Sequence, residues 1–272
     1  SGPYKIKNIS RNAAGLPTYY HFVPFDKYAL SEPYIADLYI YFFGNEDKLI
    51  EAYKNGTIDS MSSISAENAK TIDTDRSKII QTPLPRTYAV FLNQNQAKLF
   101  ANQTVREALK LATPENQIIQ NVLLGFATPI GSPLPREISL IPIRTITDEE
   151  GIDKAKSLLQ KAGWVTDESG IFVKKDKKGK VLETLSFSLA TSNVSELKAT
   201  AETLQVAWQK MGAKVDIKIF ESGDLEQNVI VPRADEALLF GEAIGRDVDL
   251  FPFWHSSERN NPGLNIAGYT NT

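Results

Sequence analysis

The stretch Gly241-Glu-Ala-Ile-Gly-Arg-Asp-Val-Asp-Leu-Phe-Pro-Phe-Trp-His-Ser-Ser257 decides how this chain is interpreted. It follows the apolar run 237–240, which predicts a buried strand. A polar loop framed by two glycines comes next, and then an aromatic turn that ends in two serines. Open α/β sheets bind ligands just beyond the ends of their strands. Glu242 lies at the predicted end of this strand, where such a sheet would bind a ligand.

Other segments of the chain match one protein family, and they occur in that family's order. Residues 253–257, Phe-Trp-His-Ser-Ser, agree with the end of its most distinctive motif residue for residue. Together the segments resemble the extracytoplasmic peptide/nickel-type substrate-binding proteins of ABC importers, the family 5 solute-binding proteins. The other matching segments are 2–6, 34–59, 91–93, 105–109, 122–135 and 265–271.

The resemblance implies an α/β fold of the periplasmic-binding-protein type, class II, with two lobes and mixed sheets. Family members are considerably longer than 272 residues, and the opening Ser-Gly-Pro-Tyr is typical of an expression scar joined to a mid-protein strand. We therefore expect a fragment with an incomplete first lobe. On this interpretation residues 1–88 are part of the first lobe, 89–264 the second α/β lobe, and 265–272 the start of the return to the first.

Composition sets independent bounds. A length of 272 residues predicts about two domains, and 42% hydrophobic residues can form proper cores. The 30 basic and 33 acidic residues nearly balance, so a nucleic-acid partner is not expected. The absence of cysteine excludes disulfides and thiolate metal sites. The sequence contains no run of about 18 apolar residues, so it predicts no membrane-spanning helix.

Local patterns predict strands alternating with helices, as an α/β lobe with a mixed sheet requires. An N-cap at Asn45 predicts the start of a helix, and 196–211 carries Trp208 on its apolar face. Less regular segments predict a short strand at 58–61, a helix at 115–124 and one continuous strand at 181–190.

Glu242 is the most unusual residue of the decisive stretch, because family members commonly have tryptophan at this position. Two interpretations remain open. In the first, a pocket carboxylate pairs with an amine or a hydroxyl-rich ligand. In the second, Glu242 is a solvated glutamate at the edge of a loop. Either way, the departure weakens any transfer of peptide specificity from the family.

Four further residues are candidate ligand contacts. The resemblance places the loop carrying Arg246 and Asp247 beside the ligand cleft, where it has a structural or a direct ligand role. Trp254 is expected near the cleft, either flooring the pocket or packing against its lobe. Asn93 is the last candidate, at the end of the Phe-Leu-Asn motif.

No catalytic, metal or cofactor site is predicted. His21 and His255 are the only histidines, no Gly-x-Ser-x-Gly elbow accompanies them, and a metal site needs three or four convergent ligands. His255 is interpreted as a hydrogen-bonded structural residue. Phosphate-binding and dinucleotide-binding loops are absent from the sequence.

The resemblance implies a monomeric binding protein, periplasmic or a cell-surface lipoprotein, with its signal peptide missing here. It would capture a solute between its lobes by hinge bending and deliver it to an ABC permease. An oligopeptide is the first expectation, and an oligosaccharide or another small solute is the alternative. A hydrolase using acidic residues and a non-transport interaction protein are less favoured. The predicted hinge residues are Tyr88, Val90, Phe91, Ala267, Gly268 and Tyr269.

Overall fold

The computed structural model describes residues 2–13, 15–31, 33–62, 64–72, 77–80, 86–132, 146–243 and 249–270. Within it the chain forms two compact units, Ser1–Ser77 and Lys78–Thr272. The lobe boundaries predicted at 88/89 and 264/265 stay predictions. No helix in the described part of the chain combines the length and hydropathy needed to cross a membrane.

The described residues of the first unit form a three-stranded antiparallel sheet with strand order β1-β2-β3 and two helices. Asn45 caps the first helix as predicted, because its side-chain oxygen accepts a hydrogen bond from the backbone N–H of Lys48 at 3.0 Å. The strand predicted at 58–61 is wrong: these residues pair with no strand of the described unit. The elements are β1 (Tyr4–Arg11), β2 (Pro17–Pro24), β3 (Leu38–Tyr41), α1 (Glu46–Lys54) and α2 (Ala66–Ala69).

The second unit is built on a mixed four-stranded sheet with strand order β4-β10-β8-β9. Strand β10 runs antiparallel to β4 and parallel to β8, and β8 runs parallel to β9. A small antiparallel sheet of β5, β6 and β7 accompanies it. The strands are β4 (Arg86–Leu92), β5 (Val165–Thr166), β6 (Phe172–Lys175), β7 (Val181–Thr184), β8 (Ser186–Ser192), β9 (Lys214–Phe220) and β10 (Ala237–Ala243).

The helices of the second unit are joined by short 3-10 and π-helical segments. The α-helices are α3 (Gln103–Leu111), α4 (Glu115–Gln117), α5 (Asp148–Lys161), α6 (Ser195–Met211), α7 (Ser222–Leu225) and α8 (Phe251–Trp254). The 3-10 segments are Lys98–Ala101 and Ser256–Arg259, and the π-helical segments are Ile118–Val122 and Glu226–Ile230.

Each face of the main sheet buries its own hydrophobic cluster. The larger cluster includes Ala237 and Leu239 of β10 together with residues of α3, α5 and α6. Trp208 of α6 belongs to it, as predicted, and its Nε1 donates a hydrogen bond to the Leu109 carbonyl at 3.1 Å. The smaller cluster lies on the other face around Phe91 and Leu238. Side chains alternate along β10 between these two environments.

Two sequence predictions for this unit are wrong in detail. The predicted helix 115–124 is one turn of α-helix followed by π-helix. The predicted strand 181–190 is interrupted at Leu185, whose side chain is fully buried. The Leu185 N–H donates to the Phe172 carbonyl at 2.8 Å, and its own carbonyl accepts from the Lys214 N–H at 2.9 Å. Leu185 therefore connects the small sheet to the main sheet.

Candidate functional site

One edge of the main sheet collects the ends of its three parallel strands. Strands β8, β9 and β10 run in the same direction, so their last residues Ser192, Phe220 and Ala243 lie on this edge. Strand β4 begins there with Arg86, which is opposite Ala243 in the ladder. Ligands of open α/β sheets bind outside such an edge. We call it the carboxyl edge.

Glu242 lies at the carboxyl edge inside strand β10, directly opposite Thr87. The sequence predicted the strand to end at Phe240, so the alternative of a solvated loop glutamate is wrong: the residue is only 9% exposed. It shares a face with Leu238 and Phe240, which belong to or pack against the smaller cluster. Burial raises the pKa of the carboxyl group from 4.5 to about 7. No hydrogen bond or ion pair joins this carboxylate to any other described residue.

On the face of the sheet opposite Glu242, the neighbouring residues of β10 and β4 contact one another. Gly241 leaves space for the ring of Tyr88, since a Cβ at this position would lie 2.8 Å from a ring carbon. The Arg86 guanidinium donates a hydrogen bond to the Tyr88 hydroxyl at 3.2 Å. Because Glu242 points to the other face, Arg86 is directed away from it.

Trp254 of α8 packs against the smaller cluster, the environment that also holds Leu238. Its ring stacks on Phe91 with centroids 6.4 Å apart and an interplanar angle of 25°. The indole Nε1 is buried and has no hydrogen-bond acceptor among the described residues. The structure thus brings Trp254 to the same sheet face as Glu242. Its direct contact with a ligand stays a prediction.

Asn93 lies at the other end of β4, away from Glu242. It is 1% exposed, and its side-chain oxygen accepts hydrogen bonds from the backbone N–H groups of Asn95 and Gln96 at 3.0 and 3.3 Å. Its amide nitrogen donates to the Arg233 carbonyl at 3.2 Å. The ligand role of Asn93 stays a prediction, and its amide already holds a turn of the chain together.

The remaining predicted loop contacts, Arg246 and Asp247, lie outside the described residues. Their neighbour Asp249 is described, and its carboxylate accepts a hydrogen bond from the Phe251 N–H at 3.0 Å at the start of α8.

His255 contacts the Ser257 hydroxyl through Nδ1 at 2.9 Å, as its interpretation as a hydrogen-bonded residue requires. In the described part of the chain, no three His, Cys, Asp or Glu side chains converge to hold a metal ion.

The predicted hinge residues fall in two segments that lie side by side. Tyr88, Val90 and Phe91 belong to β4, and Phe91 shares the smaller cluster with Ile266. Ala267 packs against the same cluster, and the carbonyl of Gly268 accepts a hydrogen bond from the Asn95 side chain at 3.5 Å. Tyr269 is tied in through its carbonyl, which accepts from the Asn265 amide at 3.1 Å. Hinge motion at these segments stays a prediction.

A partly buried arginine that no sequence pattern predicts, Arg233, lies at the end of the sheet opposite the carboxyl edge. The Arg233 guanidinium donates hydrogen bonds to the carbonyls of Ile230 and Gly263, both at 2.6 Å, and to that of Arg259 at 3.3 Å. Arg233 and Arg259 border a cavity of about 300 Å³, together with Asn93, Asn95 and Gln96. Nearby Asp235 is 5% exposed, and burial raises its pKa to about 6. No sequence motif predicts these contacts, because the acceptors are backbone carbonyls, and those of Arg259 and Gly263 lie 26 and 30 residues along the chain.

Comparison with known proteins identifies the family. A model described as bacterial extracellular solute-binding proteins, family 5, middle region, matches residues 1–251. The chain is also 26% identical, over 282 aligned residues, to the oligopeptide-binding protein AppA of Bacillus subtilis (strain 168). That alignment covers 100% of this chain and 48% of AppA. The chain therefore spans about half the length of this curated relative.

Solved structures agree with this assignment. The structure of Bacillus subtilis AppA in complex with a nonapeptide matches with a TM-score of 0.67 and 26% identity, over 100% of this chain and 52% of that one. The ABC transporter substrate binding protein CtaP of Listeria monocytogenes gives a TM-score of 0.76 at 21% identity, over 100% and 51%. NikA of Brucella suis in complex with Fe(III)-EDTA gives 0.75 at 21%, over 98% and 52%. The last two show the fold alone.

These matches confirm the predicted mixed α/β fold of the periplasmic-binding-protein type. The family model and the curated relative are described as binding proteins rather than enzymes, in line with the expectation from the sequence. The relatives include proteins that bind a peptide and proteins that bind a metal complex, so the matches leave the solute class open.

Proposed function

Because this chain belongs to the family 5 bacterial extracellular solute-binding proteins, we propose that it captures an oligopeptide outside the cytoplasm and delivers it to an ABC permease. The observation that carries the peptide assignment is the match to AppA, which is an oligopeptide-binding protein and aligns with the whole of this chain. The proposal includes closure of two lobes around the solute, with 86–93 and 263–269 as the crossing segments.

The geometry of the carboxyl edge supports solute capture. Three parallel strands end there, and Glu242 contributes a buried carboxyl group without a partner in the described part of the chain. The Trp254 Nε1, which also lacks a partner there, lies farther along the same face of the sheet, beside Phe91. Such groups are costly to bury alone, and a bound solute can satisfy them. A polar group set among apolar and aromatic side chains, as Glu242 is, is typical of ligand sites.

An oligosaccharide or another small solute remains the alternative within the family. The departure at Glu242 weakens a simple transfer of peptide specificity, because the family commonly has tryptophan there. A buried carboxylate accepts hydrogen bonds from sugar hydroxyls as well as from amines. The peptide assignment therefore depends on the similarity to AppA more than on the chemistry of Glu242.

Isothermal titration of the full chain against three panels tests the proposal: mixed peptides of two to nine residues, maltooligosaccharides, and nickel with free histidine. Mass spectrometry of the peptides after overnight incubation reports turnover. Binding of peptides with full recovery of intact peptide is the expected result. Shortened peptides would point to a hydrolase. Binding restricted to the sugars or to nickel would replace the peptide assignment.

A further inference from the structure

The Glu242 carboxylate is surrounded by apolar groups rather than by counter-charges. Its neighbours on the same face of β10 are Phe240 and Leu238, and the residues opposite them on β4 are Ala89 and Phe91. Thr87, directly opposite Glu242, is the polar neighbour in the ladder. Glu242 is 9% exposed, so water covers little of the group. An isolated carboxylate in such a place is strongly unfavourable unless a cation joins it.

The basic residues of the described sheet do not supply that cation. Arg86 lies on the opposite face and is bonded to Tyr88. The lysines of β9 that share the face of Glu242, Lys214 and Lys218, are two strands away. Arg233 lies beyond the other end of β10, roughly 20 Å away at about 3.3 Å per residue. The charge of Glu242 is thus unmatched within this sheet.

An acidic group at the end of another of the parallel strands is in a different situation. Glu221 follows β9 and is exposed, and its carboxylate accepts a hydrogen bond from the Asn193 side chain at 2.9 Å. Glu221 therefore has water and a protein donor, whereas Glu242 has little water and no donor among the described residues. This contrast singles out Glu242 and supplies a matched control at the same edge.

We propose that Glu242 forms a subsite that selects solutes carrying an ammonium or guanidinium group, with that cation seated against the Glu242 carboxylate. The inference rests on the proposed function, because it assumes that the carboxyl edge faces the solute. The cation can come from a peptide's α-amine or from a lysine or arginine side chain. The aromatic surface of Phe240 and Trp254 on the same face suits the apolar part of such a solute.

Three synthetic nonapeptide libraries test the subsite on the full chain. The first has a free α-amine and no lysine or arginine. The second is the same library N-acetylated, so that it carries no cation. The third is N-acetylated and contains one lysine. Retention of each library is measured by equilibrium dialysis with the natural protein, with Glu242→Gln and with Glu221→Gln.

The natural protein should retain the first or the third library at least about tenfold better than the second, the ratio that a charged hydrogen bond gives. The library preferred identifies the source of the cation. Glu242→Gln should remove the preference, and Glu221→Gln should keep it. If Glu242→Gln does not fold, equal retention of the three libraries by the natural protein still overturns the subsite.

Equal retention of all three libraries by the natural protein would overturn the subsite and leave the proposed peptide-binding function standing. A preference that survives in Glu242→Gln would also overturn it. Failure of the natural protein to retain any library would instead refute the proposed function itself. The two ideas therefore fail in distinguishable ways.

Discussion

Replacing Glu242 with glutamine should stabilise the chain at neutral pH and not at acidic pH. Burial holds the pKa of this carboxyl at about 7, against 4.5 ordinarily. Between these two values the unfolded chain has released its proton while the folded chain retains it. Folding is therefore penalised increasingly as the pH rises from 4.5 to about 7, and the penalty is constant above that.

The size of the effect follows from the two pKa values. A difference of this size corresponds to a penalty on the order of 3 kcal/mol at pH 8. Glutamine has nearly the same shape and carries no charge, but its buried amide lacks partners, which costs about 1 kcal/mol or more. We therefore expect Glu242→Gln to raise the free energy of unfolding by about 1–2 kcal/mol at pH 8. At pH 4.5 we expect no gain.

Urea unfolding followed by tryptophan fluorescence at pH 4.5, 6 and 8 measures this difference. The control is Glu202→Gln, which removes an exposed carboxylate from α6 and should change stability little at any of these pH values. Asp235 also has a raised pKa, but it is present in every variant and cancels in the comparison. A Glu242→Gln effect that does not vary with pH, or a loss of stability that grows from pH 4.5 to pH 8, would refute the reasoning.

Two further predictions concern the second unit. Trp208→Phe should destabilise the chain by about 1 kcal/mol more than Trp164→Phe in urea unfolding. Both side chains are at most 2% exposed, but only Trp208 donates a hydrogen bond to a described residue. Equal losses of stability would contradict this. Gly212→Ala should lower the midpoint of thermal unfolding more than Gly179→Ala does. Both glycines have a positive φ, but only at Gly212 would an added Cβ lie 2.8 Å from the Phe172 ring. Equal midpoints would exclude that clash.

The sequence predicts those features that depend on local pattern or on a matched motif. Asn45 caps its helix because a short polar side chain before an acidic first turn is a local signal. Trp208 falls in the core because its position on the helix follows from the 3.6-residue period. The family and its fold were recognised from motifs spread along the chain, and the family match over residues 1–251 confirms them.

Features that depend on distant partners could not be predicted in the same way. Leu185 interrupts a strand-like sequence because its backbone bonds to Phe172 and Lys214 in two different sheets. Glu242 is buried because β10 and β4 continue to pair beyond Phe240, through Ala243. In the sequence, a glycine followed by a glutamate suggests instead that the strand ends at Phe240. Arg233 binds backbone carbonyls, which carry no sequence signature.

The function proposed for this chain is the capture of peptides without changing them. Native mass spectrometry of the full chain mixed with an equimolar random nonapeptide library, followed by release and sequencing of the bound fraction, tests this function. We expect complexes with one peptide per chain and release of intact nine-residue peptides. Unliganded protein throughout, or release of shortened peptides only, would contradict it.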